Sequence, residues 1–230
     1  MISDHFDRIC IINMPRSLKR RAAVLFQIGT MQFKNAGLVE AVDGSSLDLE
    51  KMKAEGSLKW NDWNQRDLTH GEVGCYLSHV KIWNMLVNQG LERVLICEDD
   101  IIWRPDANDI ADRFMAEVPD DWDILHFHSY TGVGSGQQND IGRKRLGTHV
   151  WRGCNEGGGT VCYAITARGA RFLLGRAFPV SYAVDGVTNK LTSPKRSAEY
   201  HGYVCEPFLC ELSNGPSEID MIDHRQGKSC

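Results

Sequence analysis

Glu98, Asp99 and Asp100 are three consecutive carboxylates placed directly after the apolar run Val94-Leu95-Ile96-Cys97. Side chains alternate along a strand, so Glu98 and Asp100 are expected on one side and Asp99 on the other. Carboxylates packed together repel, and a divalent cation with oxygen ligands relieves the repulsion. Glu98 and Asp100 are therefore the candidate metal ligands. The competing reading is a solvated acidic turn that merely closes a strand. The preceding run favours the cation: four apolar residues without polar alternation read as a strand buried on both faces of a parallel sheet. In open α/β sheets the ligand crevice lies outside the carboxyl ends of such strands.

The elements around this triplet read as alternating strands and helices. Residues 8–13 (RICIIN) form a short apolar strand, and residues 15–33 place Leu18, Ala22, Leu25 and Phe26 at helical spacing. Strand followed by helix opens an α/β fold. Arg16, Lys19, Arg20 and Arg21 gather at the start of that helix, where cations oppose the helix dipole. A bound anion explains them, and so does an ordinary basic helix face. Residues 38–42 read as a second strand ending in the turn pair Asp43-Gly44. Residues 47–68 are polar and aperiodic, a short helix plus a long connection of the kind that often borders a site.

A strong helix begins at Thr69, which forms a capping-box pattern with Glu72. Val73, Tyr76, Leu77, Val80, Trp83 and Val87 mark one face, and Cys75, Ile82 and Leu86 another, so the helix is buried. Gly71 and Gly74 weaken its first turns by roughly 1 kcal/mol each, a cost tolerated where a backbone or ligand approaches closely. His79 on such a helix reads as a core histidine. Further on come a helix over 105–118, a strand over 122–128 and a glycine-rich stretch over 129–152 that covers the site. A strand over 160–165 and a helix over 167–177 follow. His126 and His128 share a strand face, as metal pairs and structural pairs both do. GVGSGQ opens no periodic helix, so a dinucleotide fingerprint is excluded.

With 230 residues, no internal repeat and no linker, the chain is expected to form one domain over residues 1–230. A net charge of -4 argues against nucleic-acid binding. No run approaches the ~20 apolar residues of a membrane span, and no signal-peptide pattern opens the chain. Eight cysteines without a CxxC pair, three of them (Cys10, Cys97 and Cys162) in apparent strands, suit free buried thiols in a cytoplasmic setting.

Taken in order, these pieces resemble glycosyltransferase family 25, which includes bacterial lipooligosaccharide and animal collagen galactosyltransferases. The resemblance runs through Ile11-Ile12-Asn13 with Arg16-Ser17 and Arg20-Arg21, then Ala41-Val42-Asp43-Gly44. It continues through Leu68-Thr69-His70-Gly71-Glu72-Val73-Gly74-Cys75 with Ser78-His79, and Leu95-Ile96-Cys97-Glu98-Asp99-Asp100. It closes with Thr160-Val161-Cys162-Tyr163-Ala164-Ile165-Thr166 and Gly169-Ala170, then more weakly Pro179 with Asp185, and Ser217-Glu218-Ile219. The resemblance implies a GT-A-type, Rossmann-like α/β fold with a mixed, mostly parallel sheet flanked by helices. It also implies an inverting transfer of a hexose, galactose or glucose, from a UDP-sugar to a glycan or lipid-linked saccharide, with Mn²⁺ or Mg²⁺.

By that resemblance Asn13, Arg16, Arg20, Asp43, Gly44, Ser78, His79 and Asp99 bind the donor, and Glu98 and Asp100 hold the metal. A single inversion needs a carboxylate to take the acceptor's proton. Asp185 is the candidate and Glu156 the second choice, although Asp185 also suits a helix N-cap. His201 or His224 is the candidate for a late metal ligand, and the sequence does not choose between them. A lipid-linked acceptor would bring the chain to the inner face of the membrane without a spanning segment. His126-Phe127-His128 departs from the family's usual aliphatic strand. Two other functions compete: a metal-dependent phosphohydrolase, and a glycosyltransferase-like binding module without turnover.

Overall fold

The computed structural model describes residues 1–62, 64–128, 144–153, 159–190 and 198–213. Glu156, His224, residues 129–143 of the glycine-rich stretch and residues 217–219 lie outside the described residues. The elements in chain order are α1 (Ile2–His5), β1 (Arg8–Asn13), α2 (Leu18–Thr30), β2 (Ala36–Glu40), α3 (Leu49–Ala54), α4 (His70–Asn88) and β3 (Arg93–Glu98). There follow β4 (Ile101–Trp103), α5 (Ala107–Glu117), β5 (Ile124–His126), β6 (Lys144–Arg145), β7 (Val150–Arg152), β8 (Cys162–Thr166), α6 (Ala167–Leu174), β9 (Gly202–Cys205) and β10 (Cys210–Leu212).

The fold is mixed α/β. Eight strands form one sheet in the order β2-β1-β3-β8-β5-β9-β7-β6, and β4 pairs with β10 beside it. β1 runs parallel to β2 and β3, and β5 parallel to β9, while β8 is antiparallel to both of its neighbours β3 and β5. β2, β1, β3, β5, β9 and β6 thus share one direction, and β8 and β7 oppose it. The carboxyl ends of β1 and β3 therefore open on one edge, which carries Asn13 and Glu98.

Alternation along the strands sorts the core into two layers. Ile9, Ile11, Leu95, Cys97, Leu125 and Ala164 pack with Ala107, Ile110, Ala111 and Phe114 of α5. Cys10, Ile12, Val94, Ile96, Tyr163 and Ile165 pack with Val73, Tyr76, Val80, Trp83 and Leu86 of α4 and with Ala170 and Leu173 of α6. Each fully buried large side chain contributes about 1.5–3 kcal/mol, so α4 is anchored chiefly by that face rather than by helix propensity. The buried β3 is as the unbroken apolar run predicts. The thiols of Cys10, Cys97, Cys162, Cys205 and Cys210 are free and buried.

The predicted capping box at the start of α4 is present. Thr69 Oγ1 accepts from the Glu72 N–H at 3.2 Å, and Glu72 Oε2 accepts from the Thr69 N–H at 2.8 Å. Arg66 adds a two-pronged contact to the same carboxylate at 2.6 and 2.7 Å. Burial works against the charge of Glu72, but Arg66 and Thr69 outweigh it and hold the carboxyl below its ordinary range. A depressed folded-state pKa stabilises the fold above the unfolded value, about 4.5, and that contribution fades as pH falls through the folded value. With Arg66 partly solvated, Glu72→Gln is expected to cost about 1 kcal/mol at neutral pH. Urea denaturation should show the gap at about pH 7 and its progressive shrinkage as pH is lowered below 4.5; a gap unchanged by acid would rule this out.

Several expected boundaries shift. The second strand ends at Glu40 rather than at residue 42, because the Val42 N–H leaves the sheet to bond Ser78 Oγ at 2.8 Å. The helix expected from residue 15 is α2 and starts at Leu18, and β5 is confined to Ile124–His126.

Candidate active site

The acidic triplet does not continue the strand, which corrects the expected arrangement of its side chains. β3 stops at Glu98, and Asp99 and Asp100 form the turn into β4. Alternation therefore governs Glu98 alone. Glu98 shares a sheet face with Ile96, the face covered by α4, whereas Asp99 and Asp100 both meet Arg20 of α2. Asp99 uses both carboxylate oxygens within the chain: Oδ1 accepts from Arg20 at 2.6 Å, and Oδ2 accepts from Asn13 Nδ2 at 2.6 Å. Arg20 also reaches Asp100 Oδ2 at 3.4 Å. Arg20, one of the four cations gathered at the start of α2, thus finds its anions inside the protein. Arg16 likewise pairs with Asp43.

Asp43 caps the short 3₁₀ turn Gly44–Ser46, accepting from the Ser45 N–H at 3.0 Å and the Ser45 hydroxyl at 2.7 Å. The first turns of α4 press on this loop. A Cβ on Gly74 would stand 2.7 Å from the Gly44 nitrogen, and one on Gly44 would stand 1.9 Å from the His70 carbonyl oxygen. The close approach expected for the glycines of α4 is therefore made, at Gly74, by another backbone. Ser78 closes the joint: its hydroxyl accepts from Val42 and donates to the Gly74 carbonyl at 2.8 Å.

Behind Glu98 lies a buried polar chain. The Trp83 indole N–H donates to the Tyr163 hydroxyl at 2.9 Å, and that hydroxyl lies 2.9 Å from His79 Nδ1. The other ring nitrogen, Nε2, is 3.5 Å from Thr160 Oγ1, which donates to Glu98 Oε1 at 3.1 Å. His79 is fully buried and stacked on Tyr163, so burial pushes its pKa down to about 3 and the ring is neutral. It reaches the triplet through Thr160 rather than directly.

Thr160 faces Glu98 because the Glu98 N–H is bonded to the Val161 carbonyl at 2.9 Å. The preceding residue, Gly159, has φ of +77°, a conformation suited to glycine. Its N–H donates to Asp185 Oδ2 at 3.2 Å, and its carbonyl accepts from Asn189 Nδ2 at 3.4 Å. Asp185 precedes the π-helical turn Gly186–Lys190 and spends this contact on the Gly159 loop instead of on a helix N-terminus. Two adjacent residues, Gly159 and Thr160, therefore join Asp185 to Glu98.

The electrostatics show the same convergence. Burial, followed by the charge of Asp100, pushes the Glu98 carboxyl up to about 7. Burial also raises Asp100 against the pull of Arg20. Burial raises the Cys75 thiol, and the charges of Glu98, Asp185, Asp100 and Glu72 add to the effect. Asp100 Oδ1 is buried without a hydrogen-bond partner. Cys75, His79 and Glu98 offer donor atoms within 4.8 Å of one another. A cluster that crowds carboxylates, raises the pKa values of Glu98 and Asp100 and leaves one oxygen unpartnered fits a divalent cation. A hard cation would take the oxygens of Glu98 and Asp100 in preference to the thiol.

The two strand histidines take packing positions: His126 lies over Tyr163 at 6.5 Å and His128 over Phe208 at 5.7 Å between ring centroids. His201 bonds Asp121 and, through its N–H, Asp123 at the amino end of β5, on the sheet edge opposite Glu98. Sequence reasoning missed Thr160, Tyr163, Trp83 and Gly159. The available signals were a tyrosine within the apolar run of β8, and a threonine and a glycine just before that strand.

The fold is a mixed α/β sheet with an acidic triplet at the carboxyl end of its central strand β3, and the sequence comparisons name the family. The profile described as "Glycosyltransferase family 25 (LPS biosynthesis protein)" matches residues 6–188. The chain belongs to glycosyltransferase family 25. It is 34% identical over 128 residues to "Probable inactive glycosyltransferase 25 family member 3" of Rattus norvegicus, covering 53% of this chain and 22% of that protein. It is 31% identical over 192 residues to "Procollagen galactosyltransferase 1" of Danio rerio, covering 76% of this chain and 29% of the relative. The chain thus spans less than a third of the length of these relatives. Their names include both a galactosyltransferase and an inactive member.

Proposed function

We propose that this chain transfers a hexose, galactose or glucose, from a UDP-sugar to a glycan or lipid-linked saccharide acceptor, with inversion at the transferred carbon. The observation that carries this reading is the crowded carboxylate cluster with its unpartnered Asp100 Oδ1, in a member of this family. Glu98 and Asp100 would hold Mn²⁺ or Mg²⁺, which when bound supplies positive charge against the departing diphosphate. Arg20 aims Asp99 and Asp100, and Asn13 keeps Asp99 from turning away. Arg16, Asp43 and Gly44 form the neighbouring wall, suited to the nucleotide. Asp185 takes the acceptor's proton, its carboxylate held by the Gly159 N–H. Ser78 and His79 contribute from behind, by fixing the loop after β2 and by backing Thr160.

Residues 1–230 work as one transferase domain in this reading, in the cytoplasm, with a lipid-linked acceptor drawing it to the inner face of the membrane. No helix among the described residues is long and apolar enough to cross one. The test is incubation with Mn²⁺ and a panel of nucleotide sugars, with and without saccharide acceptors, reading released nucleotide. UDP release that rises with acceptor is the expected result. Binding of UDP-sugar without release would favour an inactive module like the named inactive relatives, and phosphate release from simple esters a phosphohydrolase; either overturns the proposal.

A further inference from the structure

The polar chain behind Glu98 has a donor at one end and an acceptor at the other, and that settles every proton between them. The Trp83 indole can only donate, so the Tyr163 oxygen receives its N–H at 2.9 Å. In its ionised form, the form a cation would bind, the Glu98 carboxylate can only accept, so the Thr160 hydroxyl then spends its proton on Oε1 at 3.1 Å. Thr160 Oγ1 is then left as an acceptor toward His79 Nε2, 3.5 Å away. A neutral imidazole carries one N–H, and placing it on Nε2 leaves Nδ1 to accept from the Tyr163 hydroxyl at 2.9 Å. No link has two donors or two acceptors facing each other.

All four supporting side chains are buried: Trp83, Tyr163 and His79 at 0% exposure and Thr160 at 3%. Two elements contribute, α4 with Trp83 and His79 and β8 with Tyr163, together with Thr160 just before β8. Such a buried network is stable only if fully satisfied, and a fully satisfied one holds its end group in a single orientation. Its end group here is one oxygen of the carboxylate that the proposed function assigns to the cation.

We propose that Thr160 is a positioning residue for Glu98, aimed by His79 in the Nε2–H tautomer that Tyr163 and Trp83 impose. Its work is to hold Oε1 and so fix the carboxylate that would take the cation, in the way that outer partners orient metal ligands. This rests on the reading of Glu98 as a cation ligand, but the aim of the network does not.

Two measurements test it. The first uses the unaltered protein at a pH well above the value of about 7 to which Glu98 is raised, where its carboxylate is ionised: nitrogen-resolved NMR of the His79 ring should show a proton on Nε2 and a bare Nδ1. A ring protonated at Nδ1 overturns the assignment, whatever the protein catalyses. The second uses Mn²⁺ alone, with free ion counted by electron paramagnetic resonance. Thr160→Val, which keeps the shape and removes the hydroxyl, should weaken Mn²⁺ binding by about 10–100-fold, the scale for losing an outer partner. Thr160→Ser should restore it. Unchanged Mn²⁺ affinity in Thr160→Val, or no recovery in Thr160→Ser, would refute the positioning role. If the wild type itself retains no Mn²⁺, the cation reading of Glu98 fails and the positioning role fails with it, while the tautomer measurement still decides the direction of the network.

Discussion

Asp100→Ala is expected to abolish Mn²⁺-dependent binding of UDP while leaving the protein folded. The substitution removes the one carboxylate oxygen of the triplet that is buried without a partner. Loss of a direct ligand should exceed the ~10–100-fold cost of losing an outer partner, so affinity should fall more than about 100-fold. The fold has little reason to change. Arg20 keeps its 2.6 Å contact to Asp99, and the Asp100 carbonyl, which alanine retains, still accepts from the Ser213 N–H at 2.6 Å. Removal of the neighbouring charge also relieves Glu98, whose carboxyl is raised by burial and then by Asp100. Calorimetric titration of UDP with Mn²⁺ and again with EDTA checks this. An affinity that is the same in all four combinations of protein and condition would sink the metal assignment.

Asp185→Asn should keep UDP-sugar affinity and lower kcat by at least ~10², the lower end for loss of general-base catalysis. The structure makes this a clean substitution. Asp185 Oδ2 accepts one hydrogen bond, from the Gly159 N–H at 3.2 Å, and an asparagine oxygen can accept the same bond. The Gly159–Thr160 joint should therefore persist, and with it the backing of Glu98. A kcat near that of the wild type would remove Asp185 from proton transfer and move the search to Glu156. Equal UDP-sugar affinity together with the drop in kcat separates a base from a residue that only shapes the donor pocket, since the latter would raise the donor KM.

The long-range skeleton of the protein was legible in order along the chain. The unbroken apolar run of β3 announced a strand buried on both faces, and the spacing of Val73, Tyr76, Val80 and Trp83 announced a helix packed on the sheet. Thr69 and Glu72 marked the start of that helix to the residue. These are local signals: period, cap and run length depend on neighbours in sequence, which a reader of the sequence already has. The antiparallel β8 was legible only as a strand. Its direction and its place between β3 and β5 depend on which edge has the more favourable partner once the sheet assembles.

The site divides in the same way. Residue types and order alone determined that Glu98, Asp99 and Asp100 end a buried strand, that basic residues open α2, and that the motifs follow the order of glycosyltransferase family 25. Tertiary structure alone decided how those groups face one another. Alternation predicts side-chain direction only while the backbone stays extended, and β3 stops at Glu98, so Asp99 and Asp100 turned together toward Arg20. Arg20 and Asp99 are 79 positions apart, and His79 and Tyr163 are 84 apart. No periodicity spans such gaps; only the packing of α2, α4 and β8 around one sheet edge brings these side chains within hydrogen-bond reach.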